Sequence, residues 1–176
     1  MDMTNDVFNV ILYADGSMHS FSAAVYAATL LKLDPTMQLT VVQVQESGAI
    51  RSEVNLMETW PVNPNSAWMQ RIVNEADNER KKQYQEILEK TNEIYSQKGL
   101  SIKHELLLAK SNIKDTAEVL IDYAVKNSCK LIITGTRGRS DLQGLIFGCF
   151  GHELLRTSPI PVLLIKKLPQ NFIDSL

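Results

Sequence analysis

Between Val7 and Tyr13 the chain reads Val-Phe-Asn-Val-Ile-Leu-Tyr, an almost continuous apolar run that halts at Ala14-Asp15-Gly16-Ser17. Such a run suits a strand buried on both faces and stopped by a turn. Apolar positions then recur at steps of three and four, at Phe21, Ala24, Val25, Ala28 and Leu31. That is the period of a helix face, and Asp34-Pro35 ends it because proline disfavours helical backbone in the residue before it. The short, β-branched Leu39-Thr40-Val41-Val42-Gln43-Val44 returns to strand, closing one strand–helix–strand unit.

The pattern then disappears from Glu46 to about Ser66, where Gly48, Pro61 and Pro64 break any regular element. A connection this long in a compact domain reads as a functional lid or a mobile insertion. Trp60 and Trp68 flank its proline-containing part, to pack the loop on the body or to meet a ligand or partner. A long helix is expected from about Ala67 to Gln97, with Tyr84, Ile87, Leu88, Thr91, Ile94 and Tyr95 on one stripe and Gly99 as its stop. Its charges are mixed in sign, as on a solvated face where opposite charges satisfy one another. Ser101 to Leu108 is read as a third strand, Ile113 to about Asn127 as a helix, and Lys130 to Thr134 as a fourth strand. A short helix from Cys149 to Arg156 and a fifth strand, Val162 to Ile165, complete the pattern. Strands alternating with helices imply a parallel sheet covered on both faces.

Composition narrows the partners. The 176 residues are 44% hydrophobic and carry 18 Lys plus Arg against 20 Asp plus Glu, a formal net charge of -2. One domain spanning 1–176 is expected, with the insertion at about 46–66 and a short tail after about 166, and nucleic acid is not an expected partner. No apolar run approaches the roughly 18 residues that a membrane helix needs, and the acidic start Met1-Asp2-Met3-Thr4-Asn5-Asp6 differs from a basic leader. A cytoplasmic protein without membrane association is the expectation. Cys129 and Cys149 have no metal-like spacing and make no disulfide framework.

Open parallel sheets bind ligands beyond the carboxyl ends of their strands, where strand order reverses. Two turns qualify. In the first, Asp15 can accept hydrogen bonds from a base or sugar, or Asp15 or Ser17 can cap the following helix. In the second, Gly135-Thr136-Arg137-Gly138-Arg139-Ser140 follows the fourth strand and Gly148-Cys149 opens a helix. Glycines let backbone approach a ligand and helix N-terminal amides suit phosphate, although the same glycines can serve only tight turns. His19, His104 and His152 have no cysteine or carboxylate at ligand spacing and are read as surface or turn residues. There is no Gly-x4-Gly-Lys-Ser/Thr loop, and neither His104-Glu105 nor His152-Glu153 is followed by the second histidine of a zinc helix.

The combination Gly135-x2-Gly138-x9-Gly148 after Leu-Ile-Ile-Thr, with Arg139, the Asp15-Gly16-Ser17 turn and the closing Ser158-Pro159-Ile160-Pro161-Val162-Leu163-Leu164-Ile165, resembles the universal stress protein family over about Asn9 to Lys166. The resemblance implies a Rossmann-like open five-stranded α/β sheet in order 3-2-1-4-5 with helices on both faces, and a homodimer built with help from the last strand. Some members of that family bind ATP and others do not. Carried onto this chain, Asp15 and the main chain of Val44 face adenine, Gly135, Thr136, Arg137, Gly138 and Arg139 approach ribose and phosphates, and Gly148, Cys149 and Phe150 offer amides to phosphate.

Cys149 departs from the binders, which carry Ser or Thr there. A thiol is a weak donor, but the amide survives. Cys149 is either a small apolar filler or, at a helix start near two arginines, a redox-reactive thiolate. Cys129 reads as buried filler. The expected function is therefore ATP binding, with or without Mg, in stress response, sensing or signalling, with no catalytic or metal-ligating residue and at most slow hydrolysis. The alternative is a homodimeric interaction module of the same family that holds no ATP and acts on a protein partner.

Overall fold

Five short runs pair side by side, and the two around Ile11 and Ile133 hide both of their faces. The computed structural model describes residues 6–15, 18–46, 93, 96, 102–110, 112–136 and 148–175. Within them, strands β1 (Phe8–Tyr13), β2 (Met37–Glu46), β3 (Ile102–Ala109), β4 (Leu131–Gly135) and β5 (Val162–Ile165) alternate with helices α1 (Met18–Leu33), α2 (Ile113–Lys126), α3 (Cys149–Thr157) and α4 (Gln170–Asp174). The strands form one sheet in the order β3-β2-β1-β4-β5, every neighbouring pair parallel. The expected fold class and strand order are therefore those observed. The expected insertion at 46–66, Trp60, Trp68 and nearly all of the expected long helix lie outside the described residues; of that helix, Glu93 and Ser96 are helical.

Alternation along β1 explains why its sequence is apolar throughout. Val10 and Leu12 enter one core with α1, while Ile11 and Tyr13 enter a second core with α2 and α3. Val10, Ile11 and Leu12 are fully buried. The first core is built from small residues, Ala23, Ala24, Ala27 and Ala28, beside Phe21 and Leu31. The second uses larger ones, Leu120, Ile121 and Leu154.

The three- and four-residue stripe read for α1 is too narrow. Ser20, Ser22, Ala23 and Ala27 are buried as well, because the chain after β5 returns over the helix. Phe172 stacks on Tyr26 with ring centroids 5.8 Å apart, and the Leu168 amide donates to Ser22 Oγ at 3.4 Å. The expected tail thus contains a helix that no periodicity announced, five residues being too few to show one.

Local chemistry sets the ends of α2. Asn112 Oδ1 accepts from the Asp115 amide at 2.8 Å, an N-cap. At the other end Ser128 adopts a positive φ of 53° and the Cys129 amide returns to the Ala124 carbonyl at 2.9 Å. This left-handed residue turns the chain directly into β4.

Candidate functional site

In this strand order the chain works outward from β1 through β2 to β3, then crosses back to β4 on the other side of β1. Connections leaving β1 and β4 therefore diverge to opposite faces, and a crevice opens between their carboxyl ends. Asp15 stands at the end of β1, half-buried, its amide donating to Ser20 Oγ in the first turn of α1 at 3.2 Å. The Ala14 amide donates to the Val42 carbonyl at 2.9 Å and ends the ladder between β1 and β2.

β2 continues past that point, pairing with β3 as far as Glu46 opposite Ala109. Since Val42 aims its peptide groups at β1, the strand's two-residue alternation aims those of Val44 to the same side. There β1 has already turned away, so the Val44 main chain faces the crevice mouth. Its side chain packs into the core shared with α2 and α3.

Gly135 ends β4, and its lack of a side chain has a local cause. A Cβ there would lie 2.6 Å from His19 C and Cβ and 2.8 Å from the Ser20 amide nitrogen. These are mostly backbone atoms of α1, which cannot swing aside. The neighbouring Thr136 is buried and its polar groups are engaged by three different elements. Its amide donates to the Ile165 carbonyl at 2.9 Å, its carbonyl accepts from the Gly148 amide at 2.7 Å, and its Oγ1 is bonded to His19 Nδ1 at 3.0 Å.

Gly148 is the N-cap residue of α3 and supplies no side-chain cap, and the first turn, Cys149-Phe150-Gly151, holds no acidic residue. Helix geometry leaves the amides of such a turn without intrahelical acceptors. Since the Gly148 amide is committed to Thr136, those of Cys149 and Phe150 remain of the three amides that the resemblance implied for phosphate. The Phe150 ring packs against Tyr13 with centroids 4.5 Å apart, fastening the start of α3 to the end of β1. One turn later Arg156 donates to both carboxylate oxygens of Glu153, at 2.6 and 3.2 Å. Arg156 holds that carboxyl below its ordinary range and counters its charge near the start of α3.

The structure thus brings Asp15, Val44, Gly135, Thr136, Gly148, Cys149 and Phe150 to one edge of the sheet. Arg137, Gly138 and Arg139 lie outside the described residues. Cys149 is half-buried and Cys129 buried; burial pushes the Cys129 thiol pKa up, away from thiolate chemistry and in keeping with a filler role. Two histidines differ from expectation. His19 is bonded to Thr136, across a separation that sequence cannot reveal. His104 sits on β3 with Nε2 buried and without a hydrogen-bond partner among the described residues, and burial lowers its pKa. His152 is exposed, as expected. Sequence reasoning also missed Tyr123, whose hydroxyl is pushed up to about 12 by burial and by the nearby Glu105 carboxylate. Among the described residues no cluster of His, Cys, Asp and Glu could hold a metal ion, and no helix is long and apolar enough to cross a membrane.

The sequence model of the Universal stress protein family matches residues 8–166. The chain is similar to Universal stress protein YxiE of Bacillus subtilis (strain 168), 28% identical over 162 residues that take in 91% of this chain and 100% of YxiE. Among solved structures, universal stress protein UspA from Lactobacillus plantarum superposes with a TM-score of 0.55 at 18% identity, covering 90% of this chain and 97% of its own. A universal stress protein crystallised in complex with cAMP superposes with a TM-score of 0.52 at 17% identity, covering 92% and 98%. These structural likenesses establish the fold.

Proposed function

The chain belongs to the universal stress protein family, and from that premise we propose that it binds ATP and acts in stress response as a nucleotide sensor or carrier rather than as a dedicated catalyst. The observation that carries the reading is the start of α3. Its N-cap residue Gly148 supplies no side-chain cap and its first turn is free of acid, and the Gly148–Thr136 bond and the Tyr13–Phe150 contact hold it at the carboxyl edge of the sheet, where β1 ends at Asp15. Helix N-termini of this kind favour phosphate oxygens.

In this reading Asp15 accepts from the adenine or ribose side and the Val44 main chain meets the base. The amides of Cys149 and Phe150 take a phosphate, and Arg137, Gly138 and Arg139 complete the phosphate side, as the glycine spacing of the family implies. ATP arrives with or without Mg, whose ligands would come from the phosphates and water because no protein cluster suits it among the described residues. Hydrolysis, if it occurs, is slow in this reading. The cytoplasm is the proposed location. Two copies pair through β5, whose one neighbour among the described strands is β4; an edge of apolar Val162 to Ile165 favours such pairing.

A relative of the same fold was crystallised with cAMP, so the test offers both nucleotides. Mass spectrometry of gently denatured purified protein is expected to release ATP, and calorimetric titration is expected to give tighter binding of ATP than of cAMP. Tighter binding of cAMP would replace the ATP reading with a cyclic-nucleotide one. No heat with either, from folded protein, would leave the family's non-binding interaction role.

A further inference from the structure

Thr136 is where three elements meet, and two of its three bonds are made by backbone. Its amide holds the end of β5 and its carbonyl holds the start of α3 through Gly148. The third bond, Oγ1 to His19 Nδ1 at 3.0 Å, is made by side chains and spans 117 positions of sequence. It ties the first turn of α1, and with it the turn after β1 that carries Asp15, to the residue that fixes α3. The contact survives at close quarters because Gly135 has no Cβ to push α1 away.

We propose that His19 is a positioning residue of the nucleotide site. Through Thr136 it fixes the start of α3, with the Cys149 and Phe150 amides, relative to Asp15 at the end of β1. The two halves of a nucleotide would be held from these two places, base or sugar from one and phosphate from the other. A fraction of an ångström between them decides whether both can be met at once. His19 itself need not touch the ligand, because its bond to a buried hydroxyl sets the geometry. The inference rests on the nucleotide-binding reading above.

The experiment compares wild type with His19→Ala, His19→Asn, His19→Gln and Thr136→Val. It uses ATP titration and amide hydrogen exchange of the ligand-free protein. Asparagine carries a polar atom on Cγ where histidine carries Nδ1, whereas glutamine carries its polar atoms one bond further out. His19→Ala, His19→Gln and Thr136→Val are each expected to weaken ATP binding about three- to tenfold, the size of one neutral hydrogen bond. His19→Asn restores most of the affinity. Combining His19→Ala with Thr136→Val costs no more than either alone, as for two ends of one interaction. Without nucleotide, the Gly148 amide exchanges faster in His19→Ala and Thr136→Val and at the wild-type rate in His19→Asn.

A histidine that served stability alone would move the thermal midpoint without this Asn-against-Gln pattern in affinity. Wild type that binds ATP while every variant binds it equally, with Gly148 exchange unchanged, overturns the His19 proposal and leaves the nucleotide reading intact. Wild type that binds no ATP overturns both. Should His19→Ala fail to fold, the contrast between His19→Asn and His19→Gln decides the matter.

Discussion

Two helices begin at the same edge of this sheet, and they spend their first turns differently. The start of α1 is used up inside the protein: Ser20 Oγ takes the Asp15 amide, His19 takes Thr136, and Gly135 lets the helix backbone close on β4. The start of α3 has a glycine N-cap that supplies no side-chain cap, and it is fixed by the Gly148–Thr136 bond and the Tyr13–Phe150 contact. One helix start is a fastening and the other is the proposed docking point. What separates them is space. Small residues on the α1 face allow close approach, whereas the α3 face is filled by Leu154, Leu120 and the Tyr13–Phe150 pair.

The strongest way to break this contrast is to add one carbon to each glycine in turn. Gly135→Ala places a Cβ against α1 backbone and is expected to cost about 3 kcal/mol, the upper range for overpacking, read as a lowered urea midpoint. A Gly135→Ala protein of wild-type stability would mean that α1 is not fastened there.

Next in size is a change confined to the docking end. Cys149→Ser supplies a hydroxyl beside the α3 amides and is expected to tighten ATP binding about tenfold, near the low end for a hydrogen bond to a charged group, since water can already fill part of that role. Calorimetry checks it, and unchanged affinity would place the phosphate away from this turn.

Gly151→Ala is the mild counterpart of Gly135→Ala. Its added carbon meets Leu164 methyl groups at 3.4 and 3.5 Å, ordinary contact with a side chain that can adjust. Replacing a helical glycine gains up to about 1 kcal/mol, so the urea midpoint should hold or rise slightly.

The smallest effect tests the far edge of the sheet, remote from both helix starts. Burial holds the His104 pKa below its ordinary 6.5, so the folded state prefers the neutral ring and the unfolded chain binds the extra proton. Stability is therefore full above about pH 6.5 and declines as the pH falls below it. Urea midpoints at about pH 7.5 and about pH 5 should differ in wild type and differ less in His104→Leu. Tyr123 acts at the opposite end of the scale. Its pKa is raised to about 12 from 10.0, so the protonated hydroxyl favours folding and that contribution is lost as the pH rises from about 10 to about 12.

Apolar period and turn residues made the sheet legible. Val162 to Ile165 is a strand as read, and the other strands differ from their reading by one or two residues at their ends. β2 runs from Met37 to Glu46, beyond the Leu39–Val44 read from sequence, because both β1 and β3 offer it partners. The candidate site is a reading of glycines and a turn acid, since backbone approach and carboxylate position are properties of short local segments. The bond from His19 to Thr136 and the stacking of Phe172 on Tyr26 were not, because each joins segments more than a hundred residues apart through side chains that any surface position could carry.

The sequence by itself determined that strands alternate with helices, that the sheet is parallel, and which residues stand at the strand ends, because periodicity and turn chemistry act over a few residues. Tertiary structure alone decided that Gly135 is small to admit α1 and that the Gly148 amide is spent on Thr136. It alone decided which of two neighbouring helix starts is fastened by its side chains beside the end of β4. Those outcomes depend on how near one element lies to another, and that distance is set by packing across the sheet.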